Sequence, residues 1–257
     1  MLILLALFAL APSVVENASQ KKGLAIDTPN LMCDDFRVMT GVSWWYDWGQ
    51  NYDQFKHACP HHQSPMPQFV PMVWGRKFAW NIQIPGGSQF VLGFNEPDHG
   101  EQAKMSPEEA ARLWRNIERA APGVALVAPA PALHNFEWLD PFFQHCQGCR
   151  IDYVAAHTYF CSADETMNYL ERLWNRYHKR IWLTEFACAK TGDIWGQYWL
   201  MKTLLPRLEA AHYVFRYSWF MGRLKRDEPN GWIRQSASLF EAHSSTLTMI
   251  GRFYNDF

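Results

Sequence analysis

The chain of 257 residues lacks a surplus of charge of either sign: 24 Lys and Arg stand against 25 Asp and Glu, a formal net charge of -1. A phosphate backbone is held by clustered cations, so nucleic acid is not an expected partner. Also missing are a Gly/Ser-rich or charge-rich linker, an internal repeat and any low-complexity segment, and one domain is expected over 19–257. No segment reaches transmembrane length. The apolar run Leu2 to Ala11 is too short to span a bilayer with ease, and polar residues follow at Glu16 and Asn17. It reads as a secretory signal within 1–18, although a basic n-region is absent and Glu16 stands where cleavage after Ala18 prefers a small residue. The expectation is a secreted, extracellular protein with no membrane attachment after signal removal. The sequon Asn17-Ala18-Ser19 sits where the signal may be cut away, so glycosylation is left open.

A second C-x2-C and an H-x3-H are lacking too. Cys146 and Cys149 alone, or the cluster His57, Cys59, His61 and His62, do not complete a four-ligand set, and no metal is expected. The six cysteines are an even number, which an oxidising compartment tends to pair. Cys146 with Cys149 is the one local disulfide expected; the other pairings are open.

Aromatic residues, by contrast, are abundant: 13 Trp, 10 Tyr and 17 Phe. Sugar rings present C–H faces that dock on such planes, while the competing role of any one Trp is core packing. Eight apolar runs recur with loops and helix-like sequence between them: 41–46, 69–74, 90–94, 125–130, 153–159, 181–186, 213–220 and 237–240. That alternation predicts an α/β protein, a compact (β/α)8 TIM barrel. Ser106-Pro107-Glu108-Glu109 predicts a capped helix through Ala121. Ser162 with Glu165 predicts another through His178, and a third runs from about Ile194 to Ala211 with Pro206 kinking or ending it. Segments 50–68 and 75–88 carry no sustained periodicity, so some helices are reduced. Pro71, without an N–H, weakens the second run as a strand.

Two of the runs end on glutamates, Glu96 in Phe94-Asn95-Glu96-Pro97 and Glu185 in Thr184-Glu185-Phe186. Residues at the carboxyl ends of barrel strands share one cleft, and glycoside hydrolysis needs two carboxyls there. Glu96 is expected as the general acid and Glu185 as the ionised nucleophile, oriented by the Thr184 hydroxyl. Carboxyls about 5 to 5.5 Å apart would retain anomeric configuration, and about 6.5 to 9.5 Å would invert it. Asn95 suits the sugar hydroxyl beside the scissile carbon. His157 and Tyr159 end the run between the two glutamates and are expected to face the cleft. Trp44, Trp45 and Trp219 are candidate sugar platforms, with Trp74 and Trp138 weaker ones. Such chemistry needs no cofactor.

Gly41-Val42-Ser43-Trp44-Trp45-Tyr46, Phe69-Val70-Pro71-Met72-Val73-Trp74-Gly75, Leu92-Gly93-Phe94-Asn95-Glu96-Pro97-Asp98, the Cys146 to Tyr159 segment, Trp182 to Ala187 and Tyr217 to Phe220 together resemble glycoside hydrolase family 128. The likeness spans nearly all of the chain after the signal. It implies a β-1,3-glucanase acting with retention on a β-1,3-glucan polysaccharide or oligosaccharide, with Glu96 as acid/base, Glu185 as nucleophile, and Asn95, His157, Tyr159 and Trp219 in the cleft. The family usually carries Trp where Thr158 stands. Its clan places the two glutamates on the fourth and seventh strands, whereas the runs above put them on the third and sixth, which suggests one strand overlooked near the N-terminus. Endo action and a monomer are expected. The alternative is a β-glucan-binding or recognition protein on the same barrel that turns over little.

Overall fold

The computed structural model describes residues 18–63, 65–134, 136–189, 191–227 and 232–257. The expected signal therefore lies outside the described residues, Ala18 excepted.

Eight parallel strands are present: β1 Lys22–Ala25, β2 Trp44–Tyr46, β3 Gln68–Phe69, β4 Phe90–Leu92, β5 Ala125–Val127, β6 Val154–Thr158, β7 Ile181–Phe186 and β8 Val214–Phe220. Six pair in the order β3-β2-β1-β8-β7-β6, and β4 pairs with β5. Single bridges span the two joints, Met72 with Leu92 and Val127 with Tyr153. Backbone hydrogen bonds reinforce them: Leu92 N–H donates to the Pro71 carbonyl at 2.9 Å, and Ala128 N–H to the Tyr153 carbonyl at 2.9 Å. Pro71 thus enters the ring as an acceptor, the one role open to a residue without an N–H. The pairing runs full circle, as a (β/α)8 barrel requires.

The strand overlooked in the sequence is β1. It opens on Lys22, directly after Lys21, and reads as polar, yet Lys22 is only 2% exposed. Its ammonium donates to the carbonyls of Tyr254 at 2.7 Å and Asn255 at 3.2 Å. Those carbonyls belong to the last turn of the C-terminal helix, where a cation is favoured. Burial lowers this lysine to about 8, against the pull of Glu209 and Asp256. The run 237–240, expected as the last strand, is instead a 3-10 turn over Gln235–Ala237 and an antiparallel bridge from Phe240 to Leu247. Glu96 consequently follows the fourth strand and Glu185 lies near the end of the seventh.

The helices are α1 Asp35–Val38, α2 Asp53–Ala58, α3 Pro107–Ala120, α4 Leu139–His145, α5 Ala163–Tyr177, α6 Ile194–Ala210 and α7 Met249–Asp256. The first two are one or two turns long, and β3 connects to β4 without a helix, which matches the absent periodicity there. Ser106 accepts from the Glu109 N–H at 3.1 Å and opens α3, which buries Ala110, Leu113, Trp114 and Ile117 along one stripe. Ser162 caps α5 through the Glu165 N–H at 3.3 Å, and His178 closes it at φ 52°. Pro206 does not end α6, which runs on to Ala210; buried Leu204, Leu205 and Leu208 hold that turn against the barrel.

Two apolar layers result. Trp44, Tyr46, Met72, Leu92, Val127 and Trp182 fill the barrel interior, while Trp45, Phe94, Trp114, Leu183 and Trp219 pack between strands and helices. Gly23 on β1 admits the Trp44 indole, whose nearest atom would lie 2.2 Å from an added Cβ. Disulfides join Cys33 to Cys59, Cys146 to Cys149 as expected, and Cys161 to Cys188. The first removes Cys59 from any metal set with its neighbouring histidines.

Candidate active site

Local backbone departures put both glutamates inside the barrel mouth. After β4, Gly93 donates to the Val127 carbonyl at 2.9 Å, and a Cβ there would sit 2.9 Å from that same oxygen and 2.7 Å from Trp114. Only glycine allows β4 to run this close to β5. Asn95 bridges Ala130, and the Glu96 N–H donates to the Ala130 carbonyl at 2.9 Å. Glu96 takes a left-handed backbone, φ 42°, a conformation that costs about 1–3 kcal/mol outside glycine and clusters at functional sites.

On β7, strict alternation would send Trp182 and Thr184 inward and Leu183 and Glu185 outward. The register against β8 shifts between Leu183 and Phe186, and that against β6 between Ala156 and His157. Such a bulge re-aims a side chain, here Glu185 into the barrel. The Thr184 carbonyl, freed from the ladder, accepts from Tyr46 Oη at 3.0 Å and from Ser218 Oγ. The Thr184 hydroxyl faces the Ala156 carbonyl at 3.4 Å rather than Glu185. Thr184 therefore shapes the site through its backbone, a correction to the expected hydroxyl contact.

The two carboxyls converge on one histidine. His157 Nδ1 lies 2.8 Å from Glu96 Oε1 and 3.4 Å from Glu185 Oε2. Glu185 Oε1 accepts from Trp48 Nε1 at 2.8 Å, with Tyr46 Oη at 3.5 Å, and its Oε2 accepts from Tyr159 Oη. One oxygen of each carboxylate and a His157 nitrogen all lie within 4.8 Å of one another. Three such groups could hold a cation, but the Trp48 and Tyr159 donors aim their hydrogens at Glu185, the surroundings that hold an anion.

Burial opposes charge on all three groups, and their mutual contacts decide the outcome. Burial alone would raise Glu96, yet the hydrogen bond and charge of His157 outweigh it and hold this carboxyl below its ordinary value. Burial pushes Glu185 up, the Glu96 charge adds to this, and His157, Tyr159 and Trp48 pull the other way without prevailing. Burial would lower His157, but the charge of Glu185 and the hydrogen bond and charge of Glu96 lift it above the ordinary histidine value. The shared contact therefore biases Glu96 toward its ionised form and His157 toward its protonated form. That differs from the expectation of a Glu96 carboxyl held up by its strand end, because no sequence pattern announced a cation 2.8 Å away.

These groups open into a cleft of about 270 Å³. Trp74, Asn95, Glu96 and Glu185, all singled out in the sequence, line it together with Trp48, Trp232, Phe220, Met221, Gln102 and Asp27, which were not. Larger depressions, of about 530 Å³ beside the Cys33–Cys59 bridge and about 460 Å³ under Thr40 and Pro65, gather no pair of carboxylates. His157 and Tyr159 reach the carboxyls without lining the cleft: His157 is fully buried behind them, and Tyr159 Oη donates to Glu185 Oε2. Trp44, Trp45 and Trp219 do not serve as platforms: each is fully buried, Trp44 inside the barrel and the other two beneath the helices. Trp138, also buried, donates to the Met105 carbonyl at 2.8 Å. Trp48 had a sequence signal, since Trp44, Tyr46 and Trp48 continue one alternation and Trp44 and Tyr46 stack in the barrel. Trp232, in a stretch without periodicity, had none.

A parallel barrel with paired carboxyls at its strand ends is the frame of a sugar-cleaving domain, and the chain belongs to the glycosyl hydrolase catalytic core family, whose model matches residues 23–254. Within that class its likeness runs to glycoside hydrolase family 128. An endo-β-1,3-glucanase of subgroup II from Sorangium cellulosum is 33% identical, with a TM-score of 0.75 over 91% of this chain and 97% of that one. An exo-β-1,3-glucanase of subgroup V from Cryptococcus neoformans is 25% identical, with a TM-score of 0.80 over the same shares, 91% and 97%. Alkali-sensitive linkage protein 1 of Schizosaccharomyces pombe is 30% identical over 221 residues, which is 79% of this chain and 39% of that protein.

Proposed function

We propose that the protein is a retaining endo-β-1,3-glucanase, with Glu185 as nucleophile and Glu96 as acid/base, and that 19–257 works as one exported catalytic domain in a single chain. The observation that carries this reading is that one oxygen of each carboxylate lies within 4.8 Å of the other at an aromatic cleft, on the side of the retaining rather than the inverting separation. Glu96 delivers its proton to the leaving glycosidic oxygen while Glu185 attacks the anomeric carbon, and His157 Nδ1, 2.8 Å from Glu96 Oε1, steadies the carboxylate that results. Glu96 then takes a proton from the water that releases the sugar. Asn95 holds the neighbouring hydroxyl, and Trp48, Trp74 and Trp232 offer indole surface to the rings. Three disulfides suit an oxidising exterior. Laminarin with Glu96→Gln and Glu185→Gln tests the assignment: each should lower reducing-sugar release by about a hundredfold or more while binding persists. Activity within about tenfold of wild type in either would reject it. The first-formed product should carry the β-anomer by NMR.

One observation favours a second reading, a glucan-recognition protein with little turnover: His157 Nδ1 lies 2.8 Å from Glu96 and holds that carboxyl below its ordinary value, against the protonated form a general acid needs. Prolonged incubation with laminarioligosaccharides that gives tight binding and no cleavage would support it.

A further inference from the structure

We propose that Gln102 is a positioning residue that locks the amide of Asn95 with its acceptor oxygen toward the sugar and presents its own N–H group to that same sugar. This rests on the glucanase reading of the cleft. The segment between β4 and α3 doubles back over Asn95: the Ala103 N–H donates to the Asn95 carbonyl at 3.2 Å and the Met105 N–H to the Pro97 carbonyl at 2.8 Å. Lys104 takes a left-handed φ of 43° to make that return, and Gly75 packs against Ala103, where an added Cβ would sit 3.2 Å from the alanine methyl. The segment is thus held from both sides over the end of β4. At its closest approach Gln102 Oε1 accepts from Asn95 Nδ2 at 3.2 Å.

This contact decides which end of the Asn95 amide faces substrate. Asn95 is 4% exposed, and its Oδ1 is buried with no protein partner although the residue lines the cleft. A buried acceptor without a donor is costly, and a ligand hydroxyl supplies the missing hydrogen. An asparagine amide is nearly symmetric in shape, so without a fixed neighbour it can turn over and offer a donor instead. Gln102 prevents this by accepting from Nδ2. Its own Nε2 hydrogens remain, and Gln102 also lines the cleft. Asn95 Oδ1 as acceptor and Gln102 Nε2 as donor then complement a sugar hydroxyl, which both gives and takes a hydrogen bond.

A double-mutant cycle separates this role from mere packing. Gln102→Met keeps the length of the side chain and removes the acceptor; Gln102→Leu serves as a second variant should the first fold poorly. On laminarioligosaccharides, either variant should lower kcat by about tenfold with KM within about threefold. In an Asn95→Ala background the same substitution should cost no more than about threefold in kcat, because the lock on the amide is already gone and only the Nε2 contact with the sugar is left to lose. The preference for an aryl β-glucoside over its 2-deoxy analogue should shrink by at least about fivefold in the Gln102 variants. Additive losses, a change in KM alone or an unaltered 2-deoxy ratio would overturn the proposal. Wild-type cleavage of laminarin alongside any of those results would leave the glucanase reading intact, whereas absence of cleavage would remove both.

Discussion

The two ends of the barrel bury charge in opposite ways. At the N-terminal end Arg216 on β8 is 7% exposed, and its guanidinium lies 4.7 Å from the Phe90 ring, 4.9 Å from Trp182, 5.6 Å from Trp44 and 5.7 Å from Phe215. One nitrogen reaches Gln68 Oε1 at 2.7 Å and Nη1 has no partner; among the described residues no carboxylate pairs with it. Burial lowers its pKa to about 10, so near neutrality it is a fixed charge in an aromatic cage. At the C-terminal end three groups that can trade protons share one pocket. The lower end sets shape with a group that does not titrate under working conditions, and the upper end holds groups whose charge can move within a set geometry.

Substitutions can break that contrast, beginning at the upper end. Glu185→Ala should abolish glucan cleavage, a fall of about a thousandfold or more in kcat, and external azide should restore part of the rate as a glycosyl azide; an active variant without rescue would remove Glu185 from the nucleophile role. Trp48→Phe keeps the ring and loses the N–H aimed at Glu185 Oε1. A hydrogen bond to a charged group contributes about 1.5–3 kcal/mol, so kcat/KM should fall about tenfold to a hundredfold. Loss below threefold would make this indole a packing group only.

Removing the Cys161–Cys188 bridge, which ties the segments after β6 and β7, should cost about 2–4 kcal/mol of stability in denaturant titrations. The His157 prediction carries a sign. Its folded pKa is raised, so the native state binds more protons than the unfolded chain just above the ordinary histidine value. The stability due to this proton is complete below that value and is lost as pH rises through the raised one. Melting temperatures of wild type and His157→Gln should therefore converge as pH rises from the ordinary histidine value into the alkaline range. A constant gap across that range would assign His157 a packing role. Glu96, held low, works in the opposite sense and loses its contribution as pH falls below the ordinary carboxylate value.

The smallest effect is expected at the lower end. Arg216→Met removes a buried charge without stranding a carboxylate, so kcat should stay within about twofold and the melting temperature should hold or rise. A drop of more than about 5 °C would show that the cation–π contacts outweigh the burial cost.

Much of this was legible beforehand, unevenly and for physical reasons. Seven of the eight strands lay in apolar runs because a parallel strand is covered on both faces, and α3 and α5 announced themselves through Ser106 and Ser162, whose hydroxyls cap the first turn. Glu96 and Glu185 stood out as carboxyls ending such runs. β1 was hidden because its lysine is neutralised by carbonyls of a helix more than two hundred residues away in the chain. The tryptophans divided badly: Trp44 and Trp45 fill space on the two sides of β2, while Trp48, two residues past its end, meets Glu185 Oε1.

From the order of residues alone came the alternation that makes a barrel, the capped helices and the two strand-end carboxyls, all consequences of local periodicity. The fold decided how the two carboxyls and His157 bias one another, which tryptophans line the cleft and which way Glu185 points. Those depend on a bulge in β7, a buried histidine from β6 and a loop folded back over Asn95, contacts between distant segments that local periodicity cannot encode.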